Sequence, residues 1–136
     1  MADRPPVVAI FNTNGDLVEL LRVTFEQAGF ATVSGHIDDL RRGELNLETF
    51  VKQHAPDVVL YDISPPYDQH WRFLEVLRKS PALRGRHFVI TTTNVRHLHD
   101  IVGTREPVYE IVGKSYDLTE ITRAVKEASR AHHVEQ

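Results

Sequence analysis

Five short apolar runs alternate with segments of helical spacing, and this alternation restricts the fold more than any other feature. The runs are "PVVAIF" (6–11), "FATVSGH" (30–36), "DVVLY" (57–61), "HFVITTT" (87–93) and "PVYEIV" (107–112). Each is short, β-branched or aromatic, and bounded by turn residues, which is how a buried strand reads. Leu17, Leu20, Leu21, Phe25 and Ala28 follow the first run at helical spacing, and Gly29 is placed to end that helix. Leu47, Phe50 and Val51 predict a short helix that stops before Pro56. Trp71, Phe73, Leu74 and Leu77 predict a third, ended by "KSPALRG". Val95, Leu98, Ile101 and Val102 predict a fourth, ended near Gly103. Leu118, Ile121, Val125 and Ala128 predict a fifth, with Asp117 as its cap and Glu120 three residues later. Residues 38–46 read as polar and turn-like.

Five βα units whose strands are continuous apolar runs imply a parallel sheet with helices on both faces. Such sheets bind ligands outside the carboxyl ends of their strands, at the switch point of the winding. One charged group sits at such an end: Asp62, after "VVLY" and before the stiff Ser64-Pro65-Pro66. Asn12 and Thr13, Thr92, and Gly113-Lys114-Ser115 occupy the equivalent ends of other strands. All converge on one crevice if the sheet is doubly wound.

Length and composition bound the rest. A chain of 136 residues is expected to form one domain, 1–136, with its core at about 6–131. Sixteen basic against 19 acidic residues, net −3, lack the strongly basic footprint of a nucleic-acid binder. There is no cysteine, hence no disulfide, thiolate metal ligand or thiol nucleophile. No segment approaches the roughly 20 apolar residues that span a membrane. The expectation is a soluble, cytoplasmic protein with neither nucleic-acid nor membrane partners.

At this point the sequence resembles the CheY-like receiver domain of bacterial response regulators. The resemblance covers nearly the whole chain and rests on "PDVVLYDISPP", "VLRKSPALRGRHFVITTT" and "IVGKSYDLTEI". It implies a flavodoxin-like three-layer (βα)5 sandwich with sheet order 2-1-3-4-5. It implies that Asp62 is the phosphoacceptor and that Thr92 and Lys114 contact the phosphoryl group, all three standing at the family's spacing. The chemistry is coherent: a carboxylate can form an acyl phosphate, and phosphoryl transfer needs positioning and charge neutralisation above all. It also implies a partner, a sensor histidine kinase or phosphotransfer protein, and an output by protein–protein contact with a downstream protein or in a homodimer. No effector domain and no enzymatic activity are expected.

The resemblance further implies a Mg2+ site built on two acids just after the first strand. Here those positions are Asn12 and Thr13, both neutral. Mg2+ favours oxygen ligands, usually one or two carboxylates with waters and phosphate. The set left by the alignment is Asp62, an amide oxygen of Asn12, Thr13 and the Ser64 carbonyl: a degenerate site. Asp16 is a register away. Ser115 stands where the family usually has a proline, so a trans peptide bond is expected after Lys114, the cis form costing about 2.5–4 kcal/mol. Ile111 replaces the aromatic that often flips on activation; Tyr109 lies two residues earlier.

Other readings stand beside these. Without phosphorylation the chain would be a pseudo-receiver, an interaction module that keeps the fold. "NTNGD" (12–16) could cradle a phosphate at a helix N-terminus, as in a flavodoxin-like FMN or nucleotide binder. The eight histidines show no zinc spacing and read as surface residues. Trp71 reads as core; were it exposed beside Tyr67 and His70, it would mark a partner surface.

Overall fold

The computed structural model describes residues 4–83, 86–102, 109–112 and 117–135. The strands are β1 (Val7–Asn12), β2 (Ala31–His36), β3 (Val58–Ile63), β4 (His87–Thr92) and β5 (Tyr109–Val112). The helices are α1 (Gly15–Gln27), α2 (Ile37–Arg42), α3 (Leu47–His54), α4 (Tyr67–Lys79), α5 (Val95–Val102) and α6 (Leu118–Glu135). All strand pairs are parallel, in the order β2-β1-β3-β4-β5. This is the expected doubly wound sheet.

Strand alternation divides the core in two, because successive side chains point to opposite faces. Val8, Ile10, Val58, Leu60 and Val89 pack with Leu17, Leu21 and Phe25 of α1 and Ile121 and Val125 of α6. Ala9, Phe11, Val59, Tyr61, Ile63, Phe88 and Ile90 pack with residues of α2, α3, α4 and α5. Burial on both faces explains why these strands read as unbroken apolar runs.

The expectation that residues 38–46 are turn-like is corrected. A two-turn helix, α2, occupies 37–42, giving six helices among the described residues. Local signals build it. Ile37 and Leu40, at i and i+3, are buried; Asp38 and Asp39 lie in its first turn, Arg41 and Arg42 in its last. His36 Nδ1 accepts the Asp38 N–H at 3.1 Å, and Gly43, at φ 77°, closes the helix in the left-handed region.

The other helices form where their spacing predicts, while the helix end expected near Gly103 lies outside the described residues. Asn14 caps α1, its side-chain oxygen accepting the N–H groups of Asp16 and Leu17 at 3.0 and 3.1 Å. Asn46 caps α3 through Thr49 N at 2.9 Å, and Asp117 caps α6 through Glu120 N at 3.0 Å. Asp57 ties β3 to β1 from both sides: its carboxylate accepts the Val7 N–H at 2.7 Å and its own N–H donates to Val7 O at 2.8 Å. On β2, a Cβ at Gly35 would stand 2.7 Å from Leu45 Cδ2 and 2.9 Å from Phe11 Cε1, so a side chain there would have to displace both, including the buried Phe11 ring. Trp71 is 7% exposed and belongs to the core, and His70 beside it is also buried. Among the described residues no helix is long and apolar enough to cross a membrane.

Candidate functional site

The sheet's register aligns polar residues across the carboxyl ends of four strands. Asn12 pairs with His36, and Asp62 pairs with Thr91. Phe11 pairs with Tyr61, so Asn12 and Asp62 stand one step further on neighbouring strands. His36, Asn12, Asp62 and Thr91 therefore form one row. Its parity is that of Ile10, Leu60 and Val89, which places it on the α1/α6 face.

Within the row, Thr91 Oγ1 donates to Asp62 Oδ1 at 2.6 Å. Thr91 is 2% exposed and Asp62 half-buried. A short O–H···O− bond of this kind is among the stronger hydrogen bonds in proteins. Thr92, the residue singled out by spacing, pairs instead with Ile63 and has the parity of Phe88 and Ile90 in the opposite cluster. It is wholly buried, and its Oγ1 accepts the N–H of Asn94 at 3.3 Å. The structure thus brings Thr91, not Thr92, onto Asp62. Strand parity carries the signal: in "VVLYD" and "HFVITT" the residue matching Asp62 in phase is the first threonine. Lys114 and Ser115 lie outside the described residues, as do the side chains of Tyr109 and Ile111.

Asn12 is 3% exposed, and its side-chain oxygen accepts two backbone N–H groups, from Thr13 at 2.7 Å and Asn14 at 2.9 Å. Backbone N–H groups can bond only to the amide's oxygen, so its orientation is fixed and its NH2 is the end left to face other groups. Thr13 is half-buried, and Asp16 is exposed on α1. The Ser64 hydroxyl lies 3.4 Å from Nδ1 of the buried His70. Among the described residues no cluster of three or more His, Asp or Glu side chains could hold a metal ion.

Beside Asp62 on β3, Tyr61 points into the other face of the sheet, against Phe11 at a ring separation of 6.4 Å. It is wholly buried, and its hydroxyl has no hydrogen-bond partner among the described residues. Burial pushes its phenol well above the usual tyrosine range, opposed by Arg41 and reinforced by Asp62 and Asp38. A tyrosine whose folded pKa exceeds its unfolded value of about 10 stabilises the fold below that pH and loses the contribution as pH rises above it. Tyr61→Phe removes an unpaired buried hydroxyl and is expected to raise stability by about 1 kcal/mol at neutral pH. It should also lessen the loss of stability above about pH 10. Urea unfolding at the two pH values checks both, and a destabilised variant would contradict the unpaired hydroxyl.

No family profile matches the sequence, and no curated protein matches it. Solved structures do. A structure of a transiently phosphorylated "switch" in bacterial signal transduction superposes with TM-score 0.71 at 16% identity, over 94% of this chain and 97% of that one. The Vibrio cholerae chemotaxis protein CheY4 gives 0.67 at 13% identity, over 91% and 98%. A response regulator from Thermotoga maritima gives 0.66 at 14% identity, over 93% and 98%. Identities this low speak to the fold alone. The architecture of this chain is that of the CheY-like response-regulator receiver domains.

Proposed function

We propose that the chain is a receiver-fold interaction module of two-component signalling, in which Asp62 serves as a fixed anion rather than as a phosphoacceptor. The observation that carries this reading is the orientation of Asn12. The amide oxygen that would complete a Mg2+ site is spent on the Thr13 and Asn14 N–H groups, which leaves it ill placed to ligate a cation. Asp62 instead accepts a hydrogen bond from the Thr91 hydroxyl. An acidic cradle needs a cation between its carboxylates, whereas a single carboxylate that accepts an O–H donor is less dependent on one. The residues present do not suit a divalent ion.

On this reading the chain works by contact: with a sensor histidine kinase or phosphotransfer protein, with a downstream protein, or with a second copy of itself. The competing reading keeps Asp62 as phosphoacceptor, with Thr92 and Lys114 holding the phosphoryl group. It draws support from the half-exposed position of Asp62 at the mouth of the crevice. The FMN or nucleotide reading is less favoured, because the N–H groups of Thr13, Asn14, Asp16 and Leu17 already bond to Asn12 and Asn14.

Incubation with acetyl phosphate and millimolar Mg2+, followed by intact-mass measurement, separates the first two. No phosphate-sized increase is expected. An increase that disappears in Asp62→Asn would overturn the proposal and restore the phosphoacceptor.

A further inference from the structure

Beside the polar row, between the start of α1 and the β2–α2 junction, lies a cavity of about 290 Å3. That is close to the lower bound of about 300 Å3 for small-molecule sites. Val18 and Leu45 supply apolar lining; Asn12, Ser34, His36 and Asp39 supply the polar groups.

The hydrogen-bonding character of three of these groups is fixed. The Asn12 oxygen is consumed, and its NH2 makes no hydrogen bond among the described residues, so a side chain 3% exposed brings an unused donor to the cavity. His36 Nδ1 accepts the Asp38 N–H, which puts the proton of the neutral ring on Nε2 and makes that nitrogen a donor too. Asp39 is an acceptor; one of its oxygens takes Arg42 Nη2 at 2.9 Å, leaving capacity on the other. The N–H groups of Thr13, Asn14, Asp16 and Leu17 are already bonded within the turn, which does not favour a phosphate here.

A ligand complementary to this lining is flat, with apolar faces against Val18 and Leu45. Its edge carries a carbonyl acceptor beside N–H donors. A carbonyl flanked by a ring N–H is a lactam, and in a purine that is the O6/N1–H/N2–H2 edge of guanine. An adenine edge offers a ring nitrogen and an amino group but no carbonyl. We propose that this cavity binds a guanine base, as the free base or the nucleoside, with its carbonyl on Asn12 and His36 and its N–H groups on Asp39.

The test is titration of guanosine into the 15N-labelled full chain, followed by amide spectra, with adenosine as the control. It contains neither phosphodonor nor Mg2+, so its outcome is independent of the role of Asp62. Saturable shifts at Val18, His36 and Leu45 with guanosine, and weaker ones with adenosine, are expected. Asp39→Asn should weaken guanosine binding by at least about tenfold with the spectrum otherwise intact. If that variant loses its fold, Val18→Phe, which narrows the cavity from the α1 side, takes its place and should abolish the shifts. No saturable shift at millimolar guanosine, an equal response to adenosine, or undiminished binding by the folded variant overturns the assignment.

Discussion

Combining Asn12→Asp with Thr13→Asp is expected to make the stability of this chain depend on Mg2+. An aspartate at 12 can go on accepting the N–H groups of Thr13 and Asn14 through one oxygen, so the turn is preserved. Its second oxygen then stands where the Asn12 NH2 stood, one strand from Asp62. Three carboxylates meet at the end of the sheet, and like charges in so confined a place oppose one another. In EDTA the double variant should lose about 1–3 kcal/mol relative to the parent. Mg2+ at a hundred times its dissociation constant returns about 2.7 kcal/mol, because binding to the folded state alone stabilises by mass action. The parent chain should unfold at the same temperature in EDTA and in millimolar Mg2+. Thermal unfolding under the four conditions gives the answer. If the variant is indifferent to Mg2+, residues 12 and 13 do not occupy the cation position. A parent already stabilised by Mg2+ would show that Asn12 does not keep the cation out.

The sheet was legible because its strands are buried on both faces, and continuous runs such as "VVAIF" and "VVLY" state that directly. Asp62 and Asn12 could be placed at strand ends for the same reason, and Trp71 was recognisable as core from its helical spacing with Leu74. Segment 37–42 was less legible. Six residues with two apolar positions make a weak periodic signal, and the charged residues that fill the rest look like a loop until they are seen as cap-biased ends of a helix. The geometry of the site failed to show for two different reasons. Spacing from Asp62 counts residues along the chain, whereas the partner of Asp62 is set by register between β3 and β4, which the sequence expresses only through the parity of neighbouring apolar residues. The orientation of Asn12 depends on where two N–H groups of the following turn point. A residue type cannot disclose that: asparagine is a ligand or a donor according to which of its ends the backbone takes.

Thr91→Val and Thr92→Val should differ sharply although they are the same chemical change on adjacent residues. Valine keeps the shape and β-branching of threonine and removes only the hydroxyl. At 91 the loss is the 2.6 Å donor to the Asp62 carboxylate, in a position 2% exposed. Bonds to charged groups contribute about 1.5–3 kcal/mol, and a half-buried carboxylate left facing a methyl group recovers only part of that from water. At 92 the loss is a 3.3 Å contact from Asn94 N, while the new methyl joins the apolar side of the sheet beside Ile63. That change should cost under about 1 kcal/mol. Urea unfolding ranks the two, and a double-mutant cycle with Asp62→Asn assigns the cause. Coupling of more than about 1 kcal/mol is expected between positions 62 and 91, and none that can be resolved between 62 and 92. The reverse ranking would put the Thr92 hydroxyl, and not that of Thr91, on Asp62. Thr91 would then not be what holds Asp62, and the fixed-anion role proposed for that carboxylate would be overturned.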